Sequence, residues 1–303
     1  MRIQTLAYYV AREFRDAVEF VLLPGLALVL PWPWCYRLFR RAARWNWLFR
    51  RYCRGAYEQA SQFLDIPDER EWRQRNRLLW LLDAAEYYLV RFRPGALMKE
   101  GRFEVVGDWP REGHFIAVGL HWGLGGLMFR DLNRKGHLPR LIFKRNVLGF
   151  AEQSRVENLY RRWRPRQYAK VGGGEPISTG GGFAKIVQML DDKDVLIIVY
   201  DAPLMPNSRP VPATVLGRPA RLRSGTIRIL AESDVDYVKY RLGYDFETGK
   251  RRLEISEPVN VHDQQAIVAD LEEFLDDTLR LDSTQWYLWR QAQSFFVAEP
   301  ESP

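Results

Sequence analysis

The stretch Phe115-Ile-Ala-Val-Gly-Leu-His-Trp-Gly-Leu-Gly-Gly126 opens as an apolar, β-branched run and closes in glycines. Its first four residues predict a buried strand, and the glycines predict a turn that leaves His121 at the strand's carboxyl end. Rigid strands that feed loops are where α/β proteins place ligands and chemistry. His121 is therefore a candidate base, although a lone histidine also reads as a hydrogen-bonded member of a packed turn.

Outward from this stretch the pattern repeats. A helix is expected from about Gly126 through Asp131 to Lys135, then a strand over residues 138–143. Strand, helix, strand implies a parallel crossover. Residues 195–200, Val-Leu-Ile-Ile-Val-Tyr, form the clearest buried strand, and Asp201 stands at its end. A carboxylate there either binds something or fixes its own loop. Lys144-Arg-Asn146 follows the 138–143 strand, on the side of the sheet where His121 is expected. Strands are also expected at 103–107, 235–242 and 252–255, with helices over 56–92, 183–191 and 267–282. The implied fold is α/β, a mostly parallel central sheet flanked by helices. The glycine triplets at 172–174 and 180–182 match neither phosphate-binding fingerprint.

Upstream, residues 20–36 carry no charge, but Pro24, Pro31 and Pro33 interrupt that run and its seventeen residues barely reach a spanning length. Arg37, Arg40, Arg41, Arg44, Arg50, Arg51 and Arg54 follow, interleaved with tryptophans. Arginines beside aromatic residues predict an interfacial helical anchor over residues 1–55, and a buried helical hairpin is the other reading. The formal charge of +7 calls for an anionic partner; nucleic acid has only this charge in its favour. Cys35 and Cys53 are the only cysteines and fit no usual metal site or disulfide framework.

Taken together, Gly119-Leu-His121 with its glycines, Arg145-Asn146, the strand ending in Asp201, Leu216-Gly-Arg-Pro-Ala220 and Gln285-Trp-Tyr-Leu-Trp-Arg290 resemble the lipid A late acyltransferases, over about residues 20–292. The resemblance implies a glycerolipid-acyltransferase-like fold with an amino-terminal helical membrane anchor (1–55) and an acyltransferase-like domain (56–298). It implies acyl transfer from an acyl carrier protein or coenzyme A thioester to a hydroxyl of a lipid acceptor, at the cytoplasmic face of the bacterial inner membrane. Attachment to the anionic surface would be peripheral or monotopic, with no cofactor, metal or nucleic acid. His121 would be the general base, and Trp122, Gly123, Arg145, Asn146 and Arg218 would bind substrate.

One departure stands out. The family places Asp or Glu four residues beyond the histidine's next neighbour, and here that position is Gly126. Three expectations follow. Another carboxylate, Asp131 or Asp201, orients the imidazole; or His121 works without one, at reduced rate or on a more acidic nucleophile; or the chain is a non-catalytic lipid- or carrier-binding protein. Gly126 would also leave a small void beside His121.

Overall fold

A computed structural model describes residues 3–98, 101–143, 154–174, 177–178, 194–204 and 209–297. The strands are β1 (Phe103–Val106), β2 (Phe115–Gly119), β3 (Leu138–Phe143), β4 (Ile177–Ser178), β5 (Asp194–Val199), β6 (Pro210–Val215), β7 (Arg218–Arg223), β8 (Tyr237–Tyr244) and β9 (Arg251–Ile255). Seven form one sheet in the order β1-β9-β8-β2-β5-β3-β4, and β6 and β7 make a separate antiparallel hairpin. The sheet is mixed. Its pairs run parallel except at β8–β9, which a turn through Gly249 joins.

Side-chain alternation along the central strands divides the core in two. Phe115 and Ala117 of β2, with Val195 and Ile197 of β5, face one layer; Ile116, Val118, Leu196 and Ile198 face the other. Runs buried on both faces are what strands covered by helices on each side require. The first layer is closed by the long helix α4 (Glu69–Phe92), α5 (Gly126–Arg134) and α6 (Arg155–Gly172). The second is closed by α7 (Ser224–Glu232), α8 (Gln264–Leu281), the hairpin and the segment 286–296. Asp68 starts α4 by accepting the Glu71 N–H at 2.9 Å, as an N-cap should. The expected helix at 183–191 lies outside the described residues.

The expected helical membrane anchor is corrected. Among the described residues no helix is long and apolar enough to cross a membrane. After α1 (Ile3–Ala17) the uncharged run breaks into a π turn, a short turn at Leu23–Gly25 and a 3-10 turn, because Pro24 and Pro31 cannot continue a helical ladder. The chain then folds into α2 (Trp32–Ala42) and α3 (Arg50–Ala60). Trp32, Cys35, Tyr36, Phe39, Ala42 and Ala43 form a helical stripe packed into the same core as β2 and β8. Phe39, Leu48 and Phe49 have no exposed surface. Burial of such side chains contributes about 1.5–3 kcal/mol each, against a typical domain stability of about 5–15 kcal/mol. Arg93 donates to the Ala27 and Leu30 carbonyls and Arg77 to that of Ala43, tying the segment to α4.

One buried group here has a pH consequence. Glu19, on the π turn, has no exposed surface; Oε1 accepts the Phe49 N–H at 2.7 Å and Oε2 has no partner. Burial raises its pKa from 4.5 to about 7, against the pull of the Phe49 N–H and Arg15. A raised carboxylate binds its proton more tightly in the folded state, so its contribution is complete below pH 4.5 and is lost as pH rises through 7. Glu19→Gln keeps an acceptor and removes the charge. Denaturant titrations are expected to show the variant gaining on the wild type between pH 5 and pH 8; a constant difference would sink this reading.

Candidate active site

Strand register places the two central residues together. β2 and β5 pair in parallel with Gly119 opposite Val199, and the ladder continues as the Tyr200 N–H donates to the Gly119 carbonyl. Two residues beyond each strand end, His121 and Asp201 stand side by side at the carboxyl edge of the sheet.

Asp201 is fully buried, and its carboxylate accepts from His121 and Trp286. His121 Nδ1 lies 2.8 Å from Oδ1, and the His121 backbone N–H donates to Oδ1 and Oδ2 at 3.0 and 2.9 Å. The Trp286 indole N–H donates to Oδ2 at 2.8 Å. A buried carboxylate is tolerated when its lone pairs are satisfied in this way. Because one carboxylate grips both the backbone and the ring of His121, position and orientation are set together. A carboxylate only accepts, so Nδ1 carries the proton of the neutral ring and Nε2 keeps its lone pair. The imidazole is 40% exposed, and among the described residues nothing bonds to Nε2.

The residues after His121 are held by hydrogen bonds on both sides. Segment 121–124 runs as an extra strand between the carboxy-terminal segment and β8. Tyr287 N–H donates to the His121 carbonyl, Gly123 N–H to Gln285 and Leu124 N–H to Leu242. Gly123 has φ +64, and a Cβ there would drive into the Leu242 carbonyl, so only glycine fits. The N–H of Gly123, a residue expected to bind substrate, is thus taken up by the Gln285 carbonyl at 3.0 Å. Trp122, expected to bind substrate, is buried with its ring on Gly243 and its indole N–H on the Asp282 carbonyl at 2.8 Å. Arg218, on β7, is exposed and lies over the Phe63 ring. Arg145 and Asn146 lie outside the described residues.

Asp131 is at the other end of β2. It accepts the Trp109 indole N–H at 2.9 Å, and Trp109 stacks on Phe115 at the strand's start, about 13 Å of extended chain from its end. The void expected at Gly126 is filled. Glu86 of α4 accepts the Gly126 and Leu127 N–H groups at 3.0 and 3.3 Å, and Arg251 Nε donates to its other oxygen at 3.0 Å. A Cβ on residue 126 would sit 3.1 Å from Val90 Cγ2 and 3.2 Å from Glu86 Oε1.

Sequence reasoning misses Trp286, Glu86 and Arg251. Trp286 lies within the quoted Gln285–Arg290 motif, but nothing in its spacing ties it to Asp201. Mid-helix glutamates ordinarily face water, so Glu86 carries no sequence signal at all. No group of three or more His, Cys, Asp or Glu among the described residues is placed to hold a metal ion.

No family model matches the chain, and no curated protein matches it. Among solved structures it is similar to the 1-acyl-sn-glycerophosphate (LPA) acyltransferase PlsC from Thermotoga maritima, over 82% of this chain and 96% of that one. The identity is 14% and the TM-score 0.39, a distant likeness of fold.

Proposed function

We propose that the chain is an acyltransferase in which His121 is the general base and Asp201 supplies the carboxylate that its sequence lacks at position 126. The reading is carried by one observation: a buried carboxylate on Nδ1 of a half-exposed imidazole whose Nε2 has no hydrogen-bond partner among the described residues. Nε2 takes the proton of an acceptor hydroxyl as its oxygen attacks the carbonyl carbon of an acyl thioester. The carbon–sulfur bond then breaks, and the imidazolium returns the proton to the leaving thiolate. Asp201 stabilises the imidazolium between these steps.

Carrier protein or coenzyme A as donor, and a lipid hydroxyl as acceptor, rest on the sequence resemblance. Peripheral action at an anionic bilayer is supported by the exposed side chains of the amino-terminal segment, apolar at Phe14, Leu22, Val29, Trp34, Trp45 and Trp47 and cationic at Arg37, Arg40, Arg41 and Arg44.

The test supplies purified protein with acyl carrier protein and coenzyme A thioesters and a total lipid extract, and reads acceptor mass gain by mass spectrometry. Sedimentation with anionic vesicles is measured on the same preparation. Transfer by the wild type that falls at least about a thousandfold in His121→Ala, and persists in Asp131→Asn, is the expected result. No product, with lipid or carrier still bound, would replace this reading with a non-catalytic binder.

A further inference from the structure

An open cleft of about 580 Å³ lies away from His121, with Pro31, Trp32 and Pro33 on one side and Arg93, Ala96 and Arg102 on the other. The topology puts it on the same edge of the sheet. β1 starts at Phe103 opposite Arg251, which pairs in turn with Tyr244 at the end of β8, and β8 runs parallel to β2. Three strand spacings separate β1 from β2, so the cleft lies about 14 Å across the sheet from the strand that delivers His121.

Two arginines line this cleft. Arg51, Arg140, Arg164 and Arg241 are each paired with a carboxylate. Arg93 and Arg102 instead donate from Nη1 to backbone carbonyls, those of Ala27 and Leu30 and that of Ala96, and make no ion pair among the described residues. Behind the cleft wall the fully buried Arg251 guanidinium lies 4.7 Å from the Trp32 ring, with Nε on Glu86 and neither Nη hydrogen-bonded. Two guanidinium groups that make no ion pair among the described residues thus line the cleft, and that of Arg251 lies behind its Trp32 wall.

We propose that this cleft binds a phosphate ester. Planar guanidinium groups bound on one side to carbonyls present their remaining N–H donors in the fork that phosphate oxygens accept, and the two prolines stiffen the opposite wall. Resting on the acyl-transfer reading, the phosphate belongs to a molecule that spans about 14 Å to the reacting group. Either the acceptor's head group or the phosphate arm of the thioester donor has that chemistry.

Gly95 offers a clean test, because a Cβ added there meets nothing within 4 Å. Gly95→Glu therefore sets a carboxylate at the cleft mouth without a clash. Titration of the full-length protein with inorganic phosphate, read by ³¹P line broadening, is expected to saturate in the wild type and in His121→Ala. Binding should be abolished in Gly95→Glu and weakened about tenfold in Arg102→Gln, with melting temperatures unchanged. Phosphate titrations of Gly95→Glu and wild type that coincide would overturn the subsite, whatever the transfer assay shows. Phosphate binding lost in Gly95→Glu while no acyl transfer is found leaves the subsite standing and removes the acyltransferase reading. With transfer present, a KM rise in Gly95→Glu confined to the acceptor assigns the phosphate to the acceptor, and one confined to the thioester assigns it to the donor.

Discussion

Asp201→Asn is expected to lower the turnover of acyl transfer by about three to four orders of magnitude, the scale seen when the orienting carboxylate of a triad becomes an amide. The geometry allows the amide no good orientation. With its NH2 toward His121 Nδ1 it donates to a ring nitrogen that must itself donate, which moves the proton to Nε2 and removes the base. With its NH2 toward Trp286 it faces the indole N–H, and one buried donor is left without an acceptor, a loss of about 1–3 kcal/mol. Single-turnover rates with the pair of substrates used by the wild type measure the first effect, and denaturant midpoints the second. A variant within tenfold of wild type would mean that His121 does not depend on Asp201. Trp286→Phe, which removes only one donor to Oδ2, should cost far less activity than Asp201→Asn.

The second large effect runs against intuition. Gly126→Asp restores the residue that the family signature calls for, yet it is expected to destabilise the protein by about 3–5 kcal/mol, the range for leaving a buried charge uncompensated. The new Cβ would lie 3.2 Å from Glu86 Oε1, so two carboxylates would compete for one site and one would have to take up a proton. Glu86 would also lose its place on the Gly126 and Leu127 N–H groups at the start of α5, where a negative charge suits the helix dipole. Gly126→Ala, with the same contacts and no charge, should lose about 1–3 kcal/mol. Adding Glu86→Ala to Gly126→Asp should restore part of the stability, since the repulsion goes. A single Gly126→Asp variant with unchanged melting and higher turnover would show that Glu86 does not hold that space.

The sequence makes the central strands plain, because the runs at 115–118 and 195–199 are too uniformly apolar for anything but a sheet buried on both faces. His121 and Asp201 each stand out at a strand end. Their pairing is not visible, since eighty residues separate them and only the β2–β5 register brings them opposite. Asp131, nearer in sequence, is carried to the other end of β2 instead. The amino-terminal segment misleads for a different reason. Tryptophans, arginines and an uncharged run describe an interfacial helix and a packed amphipathic one equally well. The spacing of Trp32, Cys35, Tyr36 and Phe39 marks the packed stripe, but its partner surface on α4 and β8 appears only in three dimensions. Glu86 and Arg251 are the hardest case, since charged residues are buried only when a partner meets them, and here that partner is 165 positions away.

The bracing of Asp201 by Trp286 also sets an order of events during synthesis. The strands that carry His121 and Asp201 leave the ribosome well before residue 286, at about 5–20 residues per second. The two sheet ends can therefore dock while the carboxylate still lacks its indole donor and the 121–124 segment still lacks its neighbours at 285–287. A nascent chain would hold a sheet but an unsecured imidazole, and His121 would acquire its braced geometry only after residues 285–287 had emerged.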